Sequence, residues 1–255
     1  MTTAPPPAPR GAALVTGAAR RIGRTLALAA AGAGFDVAIH AREADADTES
    51  LLSEITALGR KAAVVTANLT DDTALLDLVP LAAAALGPLS LLVNNASLFD
   101  DDRLGTLTPK GFDAHIAANL RAPILLTQAF AAQAAPGALV VNILDQRVRK
   151  PTPQFFSYAV SKAALWQATI MSAQALAPSI RVNGIGPGPT LASIHQAPGE
   201  FEAEAAGVPL QRAANPGEIA AALLYLIDAP SVTGQMIAVD GGQHLGWRTP
   251  DIVAP

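Results

Sequence analysis

The sequence contains no cysteine. That removes disulfide cross-links, thiolate zinc sites, iron–sulfur clusters and a thiol nucleophile together, and with them one argument for secretion. Charge is also scarce, at 15% of 255 residues against 51% hydrophobic. So apolar a chain is not a solvated disordered one and is long enough to bury a substantial core. A basic excess is missing: 17 Lys and Arg against 21 Asp and Glu leave a formal charge of −4. Without a positive field, neither nucleic acid nor an anionic membrane is an expected partner. Long apolar runs are missing as well. The stretch 26–35 is too short to span a bilayer and contains Gly32 and Gly34. The opening MTTAPPPAPR has no basic segment followed by an apolar run, so it does not read as a signal peptide, and its prolines suggest a disordered tail over residues 1–10. These absences lead to the expectation of a soluble cytoplasmic protein. His40, His115, His195 and His244 stand apart without ligand spacing, so no metal site is expected.

What is present is an alternation. Short apolar, often β-branched runs at 12–16, 36–40, 63–67, 89–93, 138–143, 180–185 and 236–239 read as strands. Ala/Leu-rich stretches at 20–33, 47–58, 72–86, 110–135, 153–177 and 216–228 read as helices. Strand and helix in turn imply βαβ crossovers. The expected class is therefore α/β: one domain over 11–255, a doubly wound parallel (Rossmann) sheet of about seven strands with helices on both faces. No repeat or composition break marks a second domain. Residues 190–208 carry no clear pattern, hold Pro198 and Gly199, and follow the turn GIGPGPT; they read as a lid or binding loop.

The first strand runs into Gly17-Ala18-Ala19-Arg20-Arg21-Ile22-Gly23 and then a helix. Glycine lets the backbone turn tightly and approach a pyrophosphate, which the helix N-terminus stabilises. The usual G-x-G-x-x-G spacing is absent, and a purely structural glycine turn is the competing reading.

Further motifs occur in order. Thr16-Gly17-x-x-x-Arg21-x-Gly23 is followed by Asn94-Asn95-Ala96-Ser97, then Tyr158-x-x-x-Lys162, Arg181-Val182-Asn183 with Pro187-Gly188, and Asp240-Gly241-Gly242. From about Gly11 to Gly242 this series resembles the short-chain dehydrogenase/reductase family, whose motifs read T-G-x-x-x-G-x-G, N-N-A-G, Y-x-x-x-K, R-V-N…P-G and D-G-G. The resemblance implies an enzyme that moves a hydride with a nicotinamide cofactor. It implies that Gly17, Arg20, Arg21, Ile22, Gly23, Asn95, Ala96, Pro187 and Gly188 hold that cofactor, with Asn68-Leu69 at the adenine ring. A homotetramer follows as the family's usual assembly, with the helices at 110–135 and 153–177 as its apolar interface.

Strand two ends Ile39-His40-Ala41-Arg42. An NAD site carries an acid there for the ribose 2′-OH, and an NADP site a base. Arg42, with Arg20 in the turn and His40 beside it, favours NADP(H), because a guanidinium grips a phosphate bidentately. Glu43 could serve a ribose instead, and both arginines could simply be solvated surface charges.

Tyr158 and Lys162 are four apart and share one helix face. The resemblance makes Tyr158 the general acid and Lys162 the ribose ligand, and gives Asn119 a water-holding place in a relay to the lysine. A free tyrosine has a pKa of about 10, so a nearby ammonium is expected to favour tyrosinate. Thirteen residues before Tyr158, where the family has serine, stands Asp145. A carboxyl donates only when protonated. Asp145 therefore either has a raised pKa, or orients and charge-couples Tyr158 as a carboxylate, or points away.

Arg21 for glycine, Asp145 for serine, and Ser97 followed by Phe99 occur together. The combination resembles the pteridine reductase branch, including dihydromonapterin and dihydrofolate reductases. There the residue matching Phe99 stacks a pterin on the nicotinamide, the match to Arg21 touches cofactor and ligand, and the Asp–Tyr pair handles protons at ring nitrogens. Arg21, Ser97, Phe99, Asp145 and Tyr158 are the expected substrate residues; an ordinary buried loop phenylalanine is the alternative for Phe99. Two other functions compete: a carbonyl reductase for a ketone, sugar or acyl-carrier substrate, and a non-catalytic NADP-binding protein.

Overall fold

The structure is a computed structural model, described for residues 8–193 and 196–247. Residues 1–7 of the expected tail, and His195 in the expected lid, lie outside the described residues. The end of the expected tail is tied down. Arg10 donates its backbone N–H to Gly34 at 3.0 Å and pairs with Asp228 at 2.5 Å.

Seven strands form one parallel sheet in the order β3-β2-β1-β4-β5-β6-β7. They are β1 (Ala12–Val15), β2 (Asp36–Ala41), β3 (Ala62–Thr66), β4 (Leu89–Asn94), β5 (Ala138–Ile143), β6 (Ile180–Pro187) and β7 (Met236–Val239). The helices between them are α1 (Arg21–Gly32), α2 (Ala46–Ala57), α3 (Asp72–Leu86), α4 (Pro109–Ile116), α5 (Ala122–Gln133), α6 (Phe156–Leu176), α7 (Glu200–Gly207) and α8 (Pro216–Asp228). Successive strand residues point to opposite faces, and both faces are covered, so the strands are predominantly apolar. Ala13 and Val15 join one core with Leu26, Ile55 and Leu223 of α1, α2 and α8. Ala12 and Leu14 join the other with Leu78, Leu126 and Phe130 of α3 and α5.

Two expectations need correction. The single helix over 110–135 is two helices joined by a π-helical segment, Ala117–Arg121, closed by a backbone bond from Ala122 N–H to the Ala117 carbonyl. Pro123 explains the break: it has no N–H for the carbonyl of Asn119 four residues back, and its ring would clash there. The unpatterned stretch 190–208 contains α7.

The order reverses between β1 and β4, which leaves a crevice at the C-terminal ends of these strands. A cavity of about 1190 Å³ opens there, running from the glycine turn past the end of β2 to the start of α6.

Candidate active site

The glycine turn is locked to the loop after β4. The Thr16 hydroxyl accepts from Asn95 N–H at 2.9 Å and Ala96 N–H at 3.0 Å, while Asn95 Nδ2 donates to the carbonyls of Thr16 and Gly17. Gly17 has φ +61 and passes so close to Ala96 that a Cβ would lie 3.0 Å from its Cα. At Gly23 a Cβ would lie 2.0 Å from the Gly17 carbonyl oxygen, so helix and turn pack backbone to backbone. Arg21 has φ +52, a left-handed conformation that strains any residue but glycine. Its guanidinium donates to the carbonyls of Leu191 and Ala192, clasping the start of the 190–208 segment. Gly17 N–H donates to His40 Nδ1 at 3.1 Å, and His40 Nε2 meets the Ala67 carbonyl at 3.1 Å. Nδ1 as acceptor leaves the proton on Nε2, and burial lowers the imidazole pKa to about 4, so His40 is a neutral brace for the turn.

The two basic residues proposed for a 2′-phosphate differ. Arg20 is bound to Asp45 at 2.6 Å and to Asp47. Arg42 is exposed, lines the cavity and forms no ion pair among the described residues. The Asn68 side-chain oxygen accepts from the Thr70 N–H and hydroxyl, and Leu69 is buried beside it.

Deeper in, Asp145 points into the cavity. Its Oδ2 accepts from the Tyr158 hydroxyl at 2.8 Å and from Arg147 Nη1 at 3.2 Å, and its Oδ1 accepts from Arg147 N–H at 2.7 Å. Three donors converge on it, so in this geometry it accepts and does not donate. Tyr158 and Lys162 are buried on the first turns of α6, and Lys162 Nζ donates to the Ile143 carbonyl at 2.7 Å, 5.7 Å from the tyrosine ring centre. The groups of the protein alone favour the neutral phenol of Tyr158. Burial pushes its ionisation well up, the charge and hydrogen bond of Asp145 push further, and Arg147 opposes them. Burial lowers Lys162 to about 8, against the pull of Asp145.

Asn119, in the π segment, is fully buried. It donates to the Leu98 carbonyl at 2.9 Å and Ser161 Oγ at 3.1 Å, and accepts from Leu98 N–H and the Ser97 hydroxyl. It thus ties the loop after β4 to α6. Asp102 of the same loop caps α6, taking Ser157 N–H at 2.9 Å and the Ser157 hydroxyl, with its carbonyl accepting from Phe156 N–H.

Sequence reasoning missed two residues. Phe155 stacks face to face on Phe99, with centres 4.3 Å apart and planes 9° from parallel, while Phe99 meets Tyr158 edge-on at 4.6 Å. One face of Phe99 is thus already covered by an aromatic ring. Arg147 lies 5.8 Å from the Phe99 ring centre and 5.5 Å from that of Phe155. The readable signals were an aromatic three residues before Tyr158, and the need for a cation beside an acid in an apolar site.

One cavity brings together Gly17, Arg20, Arg21, Ile22, Gly23, His40, Arg42, Asn68, Leu69, Asn95, Ala96, Pro187 and Gly188 with Ser97, Phe99, Asp145, Tyr158 and Lys162. Asn119 does not line it and braces the loop that does. Among the described residues there is no cluster able to hold a metal ion, and no helix long and apolar enough to cross a membrane.

The family model described as enoyl-(acyl carrier protein) reductase matches residues 17–244. The solved structure of FolM alternative dihydrofolate reductase 1 from Brucella suis, in complex with NADP, superposes with a TM-score of 0.92 at 48% identity, covering 96% of this chain and 99% of that one. Its counterpart from Brucella canis, also complexed with NADP, gives 0.91 at 48%, covering 96% and 98%. The short-chain dehydrogenase/reductase FrzI of a Cladobotryum species is 33% identical over 244 residues, 91% of this chain and 95% of that protein. With the glycine turn, the Tyr158–Lys162 pair and the sheet order in place, these matches assign the chain to the short-chain dehydrogenase/reductase family of oxidoreductases.

Proposed function

We propose that the protein is an NADPH-dependent reductase of a dihydropterin or folate-like ring. The observation that carries this reading is the Asp145–Tyr158 pair at 2.8 Å, set beneath Phe99. The two FolM structures support it, being called dihydrofolate reductases and holding NADP.

The cofactor end fits a dinucleotide phosphate. Arg20, at the N-cap of α1, gives the helix no side-chain cap, and no acid lies in its first turn. The first N–H groups therefore remain available to an anion, at the positive end of the helix dipole. The close approach of Gly17 and Gly23 keeps that corner free of side chains. Arg42 is the residue for the 2′-phosphate; Arg20 is half committed to α2. Lys162 would hold the nicotinamide ribose, and Pro187 and Gly188 line the same cavity. Bound NADPH supplies the hydride.

The remaining work belongs to the chain. Tyr158 holds the proton, donated to Asp145 in this structure, and gives it to the reacting ring nitrogen once the hydroxyl turns from that carboxylate to the substrate; Asp145 keeps the phenol oxygen in place. Phe99, stacked on Phe155, lines the same cavity as Tyr158, and a flat heteroaromatic gains from packing against an aromatic ring. Asn119 keeps the Ser97–Phe99 loop at that distance. Ser97 and Arg21 complete the expected contacts, Arg21 from the glycine turn. The buried Tyr158 hydroxyl serves a carbonyl oxygen equally well, which is the observation behind the second reading, a carbonyl reductase. NADPH oxidation assayed with dihydropterins, dihydrofolate and an activated ketone separates the two. Self-association is proposed through α5 and α6, which expose Ile124, Val160 and Met171, and light scattering would measure it.

A further inference from the structure

A phenol that gives up its proton leaves a negative charge, and its surroundings must hold that charge. In a Tyr–Lys pair alone, one ammonium stands beside the phenol. Here Asp145 adds a carboxylate 2.8 Å from the Tyr158 oxygen and cancels that positive charge. A second cation stands on the far side of the carboxylate. Arg147 Nη1 lies 3.2 Å from Asp145 Oδ2, and both side chains are largely buried, at 18% and 12% exposure, so solvent screens them little. The guanidinium carbon also lies 5.8 and 5.5 Å from the centres of the stacked Phe99 and Phe155 rings.

We propose that Arg147 is a positioning residue for proton donation: it is the counter-cation that restores, around Tyr158, the positive charge that Asp145 removes. With Lys162 and Arg147 positive and Asp145 negative, the set carries one net positive charge, as a Tyr–Lys pair does without the acid. In the step, the Tyr158 O–H bond breaks and its electron pair stays on the phenolate oxygen. The proton forms the new bond on the substrate atom. The phenolate then faces Asp145, and Arg147 neutralises the carboxylate against which it would otherwise be repelled. Arg147 touches neither proton nor hydride.

The proposal rests on Tyr158 being the acid, as set out under Proposed function. Wild-type turnover of a probe tests that reading; ratios between variants test this one. The experiment is a double-mutant cycle of Arg147→Met and Asp145→Asn, read as kcat for NADPH oxidation with 7,8-dihydrobiopterin, or with an activated ketone if that is the better substrate. In the presence of Asp145, Arg147→Met should lower kcat about tenfold or more, with the NADPH KM changed less than about twofold. In the Asp145→Asn background the same substitution should change kcat less than about twofold, because there is no carboxylate to offset. Arg147→Lys should recover most of the loss. Equal factors in both backgrounds would overturn the proposal, as would an unchanged kcat in Arg147→Met. If Asp145→Asn is too slow to measure, the other pair decides: recovery by Arg147→Lys supports the counter-cation, and a lysine variant as slow as methionine overturns it.

Discussion

Tyr158 keeps its proton because the protein surrounds it with apolar side chains and an acid. Removing only its hydroxyl, in Tyr158→Phe, should leave NADPH affinity intact and cut turnover about 10²-fold or more; fluorescence titration and steady-state kinetics check the two halves. Lys162 sets a second condition. Burial holds it at about 8, so its ammonium is complete below that pH and is lost as pH rises through it. If the ammonium holds the ribose, kcat/KM for NADPH should fall above about pH 8, and a profile flat to pH 10 would contradict its role. Arg42, exposed and without an ion pair among the described residues, should matter to one cofactor only. Arg42→Ala should weaken NADPH by about 1.5–3 kcal/mol, the worth of a charged hydrogen bond, and leave NADH nearly unchanged. Equal loss for both cofactors would make Arg42 a structural residue. At this scale much was legible, because Tyr158, Lys162 and Asp145 stand at motif spacings. Phe155 was not, since its partner Phe99 meets it only across a loop and a helix start; Arg147 stands two residues from Asp145, but spacing alone does not show that the two side chains turn toward each other.

At the level of elements, the site depends on how α6 begins. Its N-cap, Phe155, has φ +53 and no capping side chain, and Asp102 does that work from 55 residues away in sequence. Asp102→Ala should therefore cost about 1–2 kcal/mol, the range for a lost N-cap, and loosen the turn that carries Tyr158. Thermal or urea unfolding measures the cost; an unchanged midpoint would show that the helix start holds without Asp102. The long-range cap could not be read from the chain, because Asp102 lies in an Asp-Asp run with no local helix to cap. The break between α4 and α5 was readable in principle from Pro123, but the Ala/Leu-rich pattern on both sides masked it. α7 was hidden by Pro198 and Gly199, which mark its entry rather than its absence. Arg21, read as a ligand contact, also joins the glycine turn to the entry of this segment.

For the whole molecule, the alternation of apolar runs and Ala/Leu-rich stretches was enough to expect about seven parallel strands covered on both faces; their order, β3-β2-β1-β4-β5-β6-β7, comes from the structure. That order puts the reversal between β1 and β4, and hence the cavity, where Gly17, Asn95 and Ala96 meet. Some strand ends were off by one or two residues, as at β6, whose buried run continues through Gly186 and Pro187 with no polar edge to mark its limit. The size and lining of the substrate half depend on loops from three parts of the chain, which one-dimensional pattern does not relate. The central claim is that this cavity reduces a flat ring through the Asp145–Tyr158 pair. Its most direct test is steady-state NADPH oxidation by the wild-type protein with 7,8-dihydrobiopterin, dihydrofolate and an activated ketone, side by side with Phe99→Ala. The account predicts the highest kcat/KM on a dihydropterin or dihydrofolate, and about 1–2 kcal/mol weaker binding of that ring in Phe99→Ala, from lost burial and stacking. Efficient ketone reduction with no turnover of either ring substrate would contradict it.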